Sequence, residues 1–159
     1  MPVQGAALVL SQCSLFKDFS ETGLAIVASI AVDRSLPSGT PLFVEGMEAD
    51  AFFIVKSGSV KVALKNEAEE QTIGFLGVGE ALGQLAVLGA TGSRLVTAIA
   101  EGPTELIEIR QRDFLRLQTQ KPQACLKLMM AVAAQVGQFL GDNRELLKAA
   151  AVGRFKGNA

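Results

Sequence analysis

The chain has 159 residues, with 15 basic and 16 acidic side chains for a net charge of −1, and 49% of its residues are apolar. That length and apolar fraction suffice for one domain with a real core and exclude a disordered chain. Mixed charge without a lysine or arginine run gives no field for holding a nucleic-acid backbone, which argues against DNA binding.

The reactive inventory is thin. There is no histidine, so the commonest general base and zinc ligand are both missing. Cys13 and Cys125 are the only cysteines, each among apolar neighbours, and read as small core hydrophobes. No nucleophile and base, metal cluster or carboxylate pair can be placed in one cleft, so the sequence predicts a protein that is neither an enzyme nor a metal binder. The apolar N-terminal run has no basic residue before it and does not read as a signal peptide. The apolar segment Leu128 to Ala134 is stopped by Gln135, short of the roughly 20 residues that span a bilayer. These features predict a soluble, cytoplasmic protein with no membrane partner.

In chain order, Ala7 to Asp18 is helix-like, and Ser20 is placed to cap a second helix with Glu21 in its first turn. Leu36 to Pro41 is a turn cluster, and Leu42-Phe43-Val44 is a strand stopped by Glu45-Gly46. Phe52 to Lys56 and Ser59 to Lys65 read as two strands of a hairpin about Ser57-Gly58. A polar tip at Asn66 to Glu70 precedes a returning strand through Ile73, Phe75 and Leu76. Arg94 to Ala100 and Thr104 to Arg110 add two more, separated by Glu101-Gly102-Pro103. Short strands at near-constant spacing with glycine corners predict a small barrel or roll, not a parallel α/β sheet.

The period then changes from two to about 3.6. Gln111 to Gln120 reads as a short helix, and Pro122 opens a long one running to about Ala151. Met129, Val136, Asn143 and Ala150 recur every seventh residue, as do Val132, Phe139 and Leu146. The first half of that stripe can pack on the chain's own roll. Beyond Gly141 little of the domain remains to cover Leu146 and Leu147, so a parallel homodimer through this helix is expected, with Asn143 setting its register. Val152 to Ala159 is expected to fray.

Between the strands lies Gly83 to Ala98. It has a glycine, a short apolar turn, a Gly/Thr/Ser-rich loop and an arginine entering a β-branched strand. A helical turn after Gly83 would aim unpaired N–H groups at a ligand, and Arg94 would close on the same anion. The stretch predicts a phosphate pocket.

Several dispersed motifs keep one order: the Gly39 and Glu45-Gly46 turns; Phe53-Ile54-Val55-Lys56-Ser57-Gly58-Ser59-Val60 on the pattern "yyIlkGsv"; Gly79-Glu80-Ala81-Leu82-Gly83 on "GdxfG"; and Gln84-Leu85-Ala86-Val87-Leu88 with Ser93-Arg94 as a phosphate cassette. In these the chain resembles the cyclic nucleotide-binding domains, of the kind found in the catabolite activator protein's sensor domain and in kinase regulatory subunits. The resemblance implies a mainly β fold with flanking helices: an eight-stranded antiparallel, jelly-roll-like β-roll over about 33–110, N-terminal helices and a long C-terminal helix over about 122–151. All of 1–159 would be one such domain, without the helix-turn-helix that would make it a transcription regulator.

The resemblance also assigns roles. Gly83, Gln84, Leu85, Arg94 and Leu95 fall at phosphate-binding positions, and Gln84 also falls at the family's ribose-binding glutamate. Val62, Ile73, Gln135, Val136 and Phe139 fall at positions near the base. The implied ligand is a cyclic nucleotide, cyclic AMP ahead of cyclic GMP, with no metal, and the signal would pass through the long helix to a protein effector not identified by the sequence. Two positions depart from the pattern. Gln84 accepts a neutral hydrogen bond where the family has a charged one, a loss of about 1 kcal/mol, or several-fold in affinity. Leu95 replaces a small or hydroxylated residue. The alternative these departures favour is a degenerate module of the same fold that no longer binds nucleotide and serves for dimerisation and protein interaction.

Overall fold

The computed structural model describes residues 2–88 and 92–157, with side chains described for 5–88, 92–149 and 151. The chain enters through α1 (Pro2–Ser11), a 3-10 turn (Ser14–Phe16) and α2 (Glu21–Ala28). The helix expected over Ala7 to Asp18 is thus two pieces, divided where Cys13 takes an extended conformation (φ −91°, ψ 133°). Ser20 caps α2, its side chain accepting from the Gly23 N–H at 3.1 Å, with Glu21 at the positive end of the helix.

Six antiparallel strands follow: β1 (Ala31–Leu36), β2 (Pro41–Phe43), β3 (Ala51–Asn66), β4 (Glu69–Leu76), β5 (Ala81–Leu82) and β6 (Thr97–Arg110). The order is β1-β6-β3-β4, with β2 also on β6 and β5 also on β3. The expected antiparallel sheet with flanking helices is present, but among the described residues it has six strands where eight were expected. Ser57-Gly58 is not a hairpin turn, and Glu101-Gly102-Pro103 does not separate two strands. Both are bends inside continuous strands, and β3 stays paired with β6 on either side, from Ala51↔Arg110 to Ala63↔Thr97. The two bends lock together. Gly58 has φ +86°, and a Cβ there would lie 2.5 Å from Pro103 O and 2.9 Å from Thr104 Cα. The Ser59 N–H donates to Thr104 Oγ1 at 3.3 Å, and that hydroxyl is 2.9 Å from Ser59 O. Only glycine lets the strands cross so closely.

The first half of β3 is buried on both faces. Phe52 and Ile54 join Leu10, Phe16, Val27, Phe114, Leu128 and Val132 in a core between sheet and helices. Phe53 and Val55 point the other way, into the roll, with Leu36, Phe43, Val60, Leu82 and Leu106. Strand alternation thus sets one face against the helices and the other against the roll's interior.

Gln111–Gln120 forms α3 as predicted, and Pro122 is at the start of α4 (Pro122–Asp142). The single helix expected to about Ala151 is interrupted: Asn143 leaves helical geometry (φ −112°, ψ 26°) and α5 (Arg144–Gly157) follows. The Asn143 side chain is used on its own chain, its Nδ2 donating to Phe139 O at 2.8 Å. It ends a helix here, and the heptad pattern does not run through it. The backbone is helical to Gly157 where fraying was expected from Val152; Asn158 and Ala159 lie outside the described residues, as does the side chain of Ala150. By length and composition the 21 residues of α4 would also suffice to cross a membrane, contrary to the reading of Leu128 to Ala134 as too short. Its buried stripe, Cys125, Leu128 and Val132, is packed into the core under the sheet.

Candidate functional site

Between the roll, the Gly83–Val96 segment and α4 lies a cleft of about 990 Å³. Nine of the ten candidate positions line it: Val62, Gly83, Gln84, Leu85, Arg94, Leu95, Gln135, Val136 and Phe139. Ile73 does not. Val62 pairs with Gly74 and Ala63 with Thr72, so Ile73 is the extra residue of a bulge and stands 54% exposed outside the cleft wall. Phe43, Leu76, Leu82 and Val132 line the cleft without having been singled out from the sequence. Their inward strand or helix positions were a usable signal, but one that every core residue shares.

Arg94 is held by backbone bonds before its side chain does anything. Its N–H donates to Met47 O at 2.6 Å, its carbonyl accepts from the Gly46 N–H at 2.9 Å, and the Ala49 N–H donates to Gly92 O at 2.9 Å. That ladder turns the guanidinium inward, where the residue is 5% exposed. The guanidinium carbon stacks 4.2 Å from the Phe43 ring centroid and 5.7 Å from that of Phe53. One nitrogen, Nη2, is 3.6 Å from Asp50 Oδ1. Nε and Nη1 are fully buried and have no partner among the described residues. Burial lowers the Arg94 pKa, while the Asp50 and Glu108 carboxylates act to raise it. An arginine stays charged under such opposition, so the site holds a cation with donors to spare.

Gly83 makes room for that cation. It has φ +77°, and a Cβ would sit 2.5 Å from Arg94 Nη1 and 3.1 Å from Ala51 O. The expected helical turn follows as a 3-10 helix, Gln84–Leu88, with the Ala86 N–H donating to Gly83 O at 3.1 Å. Among the described residues the N–H groups of Gln84 and Leu85 have no partner, as first-turn donors do not. The far side of the turn is fixed by Gln111, whose Nε2 donates to Ala86 O at 2.7 Å, and by burial of Ala86 and Val87. Gly89, Ala90 and Thr91, part of the Gly/Thr/Ser-rich loop before Arg94, lie outside the described residues.

The two departures from the family pattern stand differently. Leu95 is 73% exposed at the cleft rim and does not fill the space beside the guanidinium. Gln84 is engaged: its Nε2 donates to Gln135 Oε1 at 3.3 Å, and Gln135 Nε2 donates to Ser14 Oγ at 3.1 Å. Val136 lines the cleft half-buried, and Phe139 stands 64% exposed at its mouth.

This architecture has known counterparts. The Cyclic AMP receptor protein of Thermus thermophilus is 28% identical over 123 residues, 77% of this chain and 56% of that protein. The crystal structure of the Thermus thermophilus catabolite activator protein superposes with a TM-score of 0.75 at 27% identity, covering 86% of this chain and 62% of that one. The cGMP-dependent protein kinase egl-4 of Caenorhabditis briggsae is 30% identical over 111 residues, 68% of this chain but 15% of the kinase. The chain therefore spans little more than half of the receptor and a small part of the kinase. Residues 33–121 match the model of the Cyclic nucleotide-binding domain, and this match takes in the roll from Asp33 onward, the glycine turn and Arg94. With more than half of its length so matched, and the roll, cleft and buried arginine in place, the chain belongs to the cyclic nucleotide-binding domain family.

Proposed function

We propose that residues 1–159 form one regulatory sensor module that takes a cyclic mononucleotide into the cleft. The observation that carries this reading is Arg94, a charged group buried to 5% exposure with two donors that have no partner among the described residues, at the cleft wall. Such donors cost stability until an anion meets them. In this reading the cyclic phosphate lies between the Arg94 guanidinium and the free N–H groups of Gln84 and Leu85. The sugar lies beside Gln84, and the base lies among Val62, Val136 and Phe139. Cyclic AMP is placed ahead of cyclic GMP. A relative named for cyclic AMP supports that order, and the likeness to a cGMP-dependent kinase keeps cyclic GMP in the test.

The output in this reading is α4. It lines the cleft through Val132, Gln135, Val136 and Phe139, and in this reading a ligand that touches them has different affinity for two positions of the helix. Phe139, Leu146 and Leu147 are exposed along α4 and α5, and we assign their cover to a second copy of the chain. Calorimetric titration with cyclic AMP and cyclic GMP tests the proposal. Binding that is lost in Arg94→Ala is expected, and no heat at millimolar ligand refutes it. Leu95 and the neutral Gln84 favour a second reading, a degenerate interaction module. That reading gives no binding and no change in partner association on Arg94→Ala.

A further inference from the structure

Gln84 and Gln135 line two spaces at once, the main cleft and a smaller cavity of about 340 Å³ behind it that Ser14 also lines. Ser14 does not reach the cleft, yet it is joined to it by two hydrogen bonds in series. Gln135 Nε2 donates to Ser14 Oγ at 3.1 Å, and Gln84 Nε2 donates to Gln135 Oε1 at 3.3 Å. The order matters chemically. With its NH2 on Ser14, Gln135 turns its oxygen to Gln84, and Gln84 gives its NH2 to that oxygen. The Gln84 Oε1 is then left without a partner among the described residues, as an acceptor beside the cleft.

The post at the far end is rigid. Ser14 opens the 3-10 turn whose next two residues, Leu15 and Phe16, are buried in the core, and the Phe16 N–H donates to Cys13 O at 3.0 Å. Gln135 comes three residues after Val132, the last fully buried residue of α4. Beyond it, α4 turns mostly to solvent.

We propose that Ser14 and Gln135 are positioning residues for Gln84. They hold its amide oxygen ready for a ligand hydroxyl and tie the outer part of α4 to the glycine turn. The inference rests on the nucleotide reading for the identity of that hydroxyl, the ribose 2′-OH, but not for the tie between helix and turn. The relay fixes a flexible side chain before the ligand arrives. Losing it weakens binding by about two- to tenfold, the cost of immobilising one such side chain at the moment of binding.

Two measurements on the full chain test this. In the first, without ligand, hydrogen exchange of the Val136–Asp142 amides is compared in wild type, Ser14→Ala and Ser14→Thr. Faster exchange is expected in Ser14→Ala, with rescue in Ser14→Thr, which keeps the hydroxyl. Unchanged exchange in Ser14→Ala overturns the relay. In the second, calorimetry compares cyclic AMP with its 2′-deoxy analogue. Wild type is expected to prefer cyclic AMP, and Ser14→Ala to lose that preference by weakening cyclic AMP alone. Equal weakening for both ligands overturns the positioning role, because a general structural defect does not distinguish them. If wild type binds neither, the nucleotide reading fails and the hydroxyl role fails with it. The exchange result then decides the helix tie by itself.

Discussion

Arg94→Met is expected to stabilise the ligand-free protein while abolishing anion binding. Leaving a buried donor unpaired costs about 1–3 kcal/mol, so Nε and Nη1 together cost about 2–6 kcal/mol. Against this stand the stacking on Phe43, about 2 kcal/mol for a desolvated cation, and the 3.6 Å pair with the exposed Asp50, about 0–1 kcal/mol. Methionine is unbranched and apolar, ends short of the guanidinium position, and can turn its thioether toward the Phe43 ring. The bonds holding the segment are backbone bonds to Met47 and Gly46 and survive the change. Glu108 keeps Arg34 at 3.3 Å and Arg110 at 3.5 Å. Together these terms give a net of about −1 to 4 kcal/mol, centred on a gain of about 1.5 kcal/mol. With a urea m-value of about 2 kcal/mol/M, that central value raises the midpoint by about 0.7 M. Far-UV circular dichroism is the suitable probe, since the chain has neither Trp nor Tyr. A midpoint that falls by about 1 M or more at unchanged m refutes the reasoning, for the arginine is then a structural cation whose present contacts suffice.

The remaining predictions concern the frame around that site. Gly58→Ala combines a left-handed φ of +86° with a Cβ 2.5 Å from Pro103 O, and is expected to cost at least about 2 kcal/mol in denaturant titration; a cost under about 1 kcal/mol refutes the locked-bend account. Burial raises the thiol pKa of Cys13 and of Cys125 above 9.0, with a backbone bond from Leu15 partly opposing this for Cys13. A group whose folded pKa is raised stabilises the fold fully below its unfolded pKa and loses that contribution as pH rises through the folded value. The melting temperature is therefore expected to fall above pH 9, and less steeply in the Cys13→Ala, Cys125→Ala double variant; parallel curves refute the assignment. Leu146 is 70% exposed, so Leu146→Glu is expected to leave the far-UV circular dichroism of the folded chain unchanged and to convert a dimer to a monomer in light scattering; an unaltered dimer refutes a seam at α5.

What could be read from the sequence was whatever depends on neighbours in the chain. Ser20 as a cap, Pro122 at a helix start, and Gly83 followed by a helical turn are each set within four residues, and all three stand as read. Gly58 and Gly102 were correctly identified as corners but not as bends, because a glycine with positive φ serves a hairpin and a folded strand equally well. The distinction lies in Pro103 and Thr104, which only the paired strand brings to Gly58. Asn143 was misplaced for the opposite reason. Spacing by seven put it in a helix seam, whereas its backbone leaves helical geometry there and its side chain bonds Phe139 O alongside its own N–H, a local capping that a periodic pattern does not register. Gln84 is the most instructive position. Judged alone it is a glutamate without its charge and marks a weakened site. Joined to Gln135 and Ser14, from helices 51 residues later and 70 earlier, it becomes the point where cleft, entry helices and α4 meet. A carboxylate there has no NH2 to give and could join Gln135 only in the opposite order, with the Ser14 hydroxyl donating and the Gln135 NH2 turned to the carboxylate. The glutamine supplies the donor itself and leaves its own oxygen free of that bond.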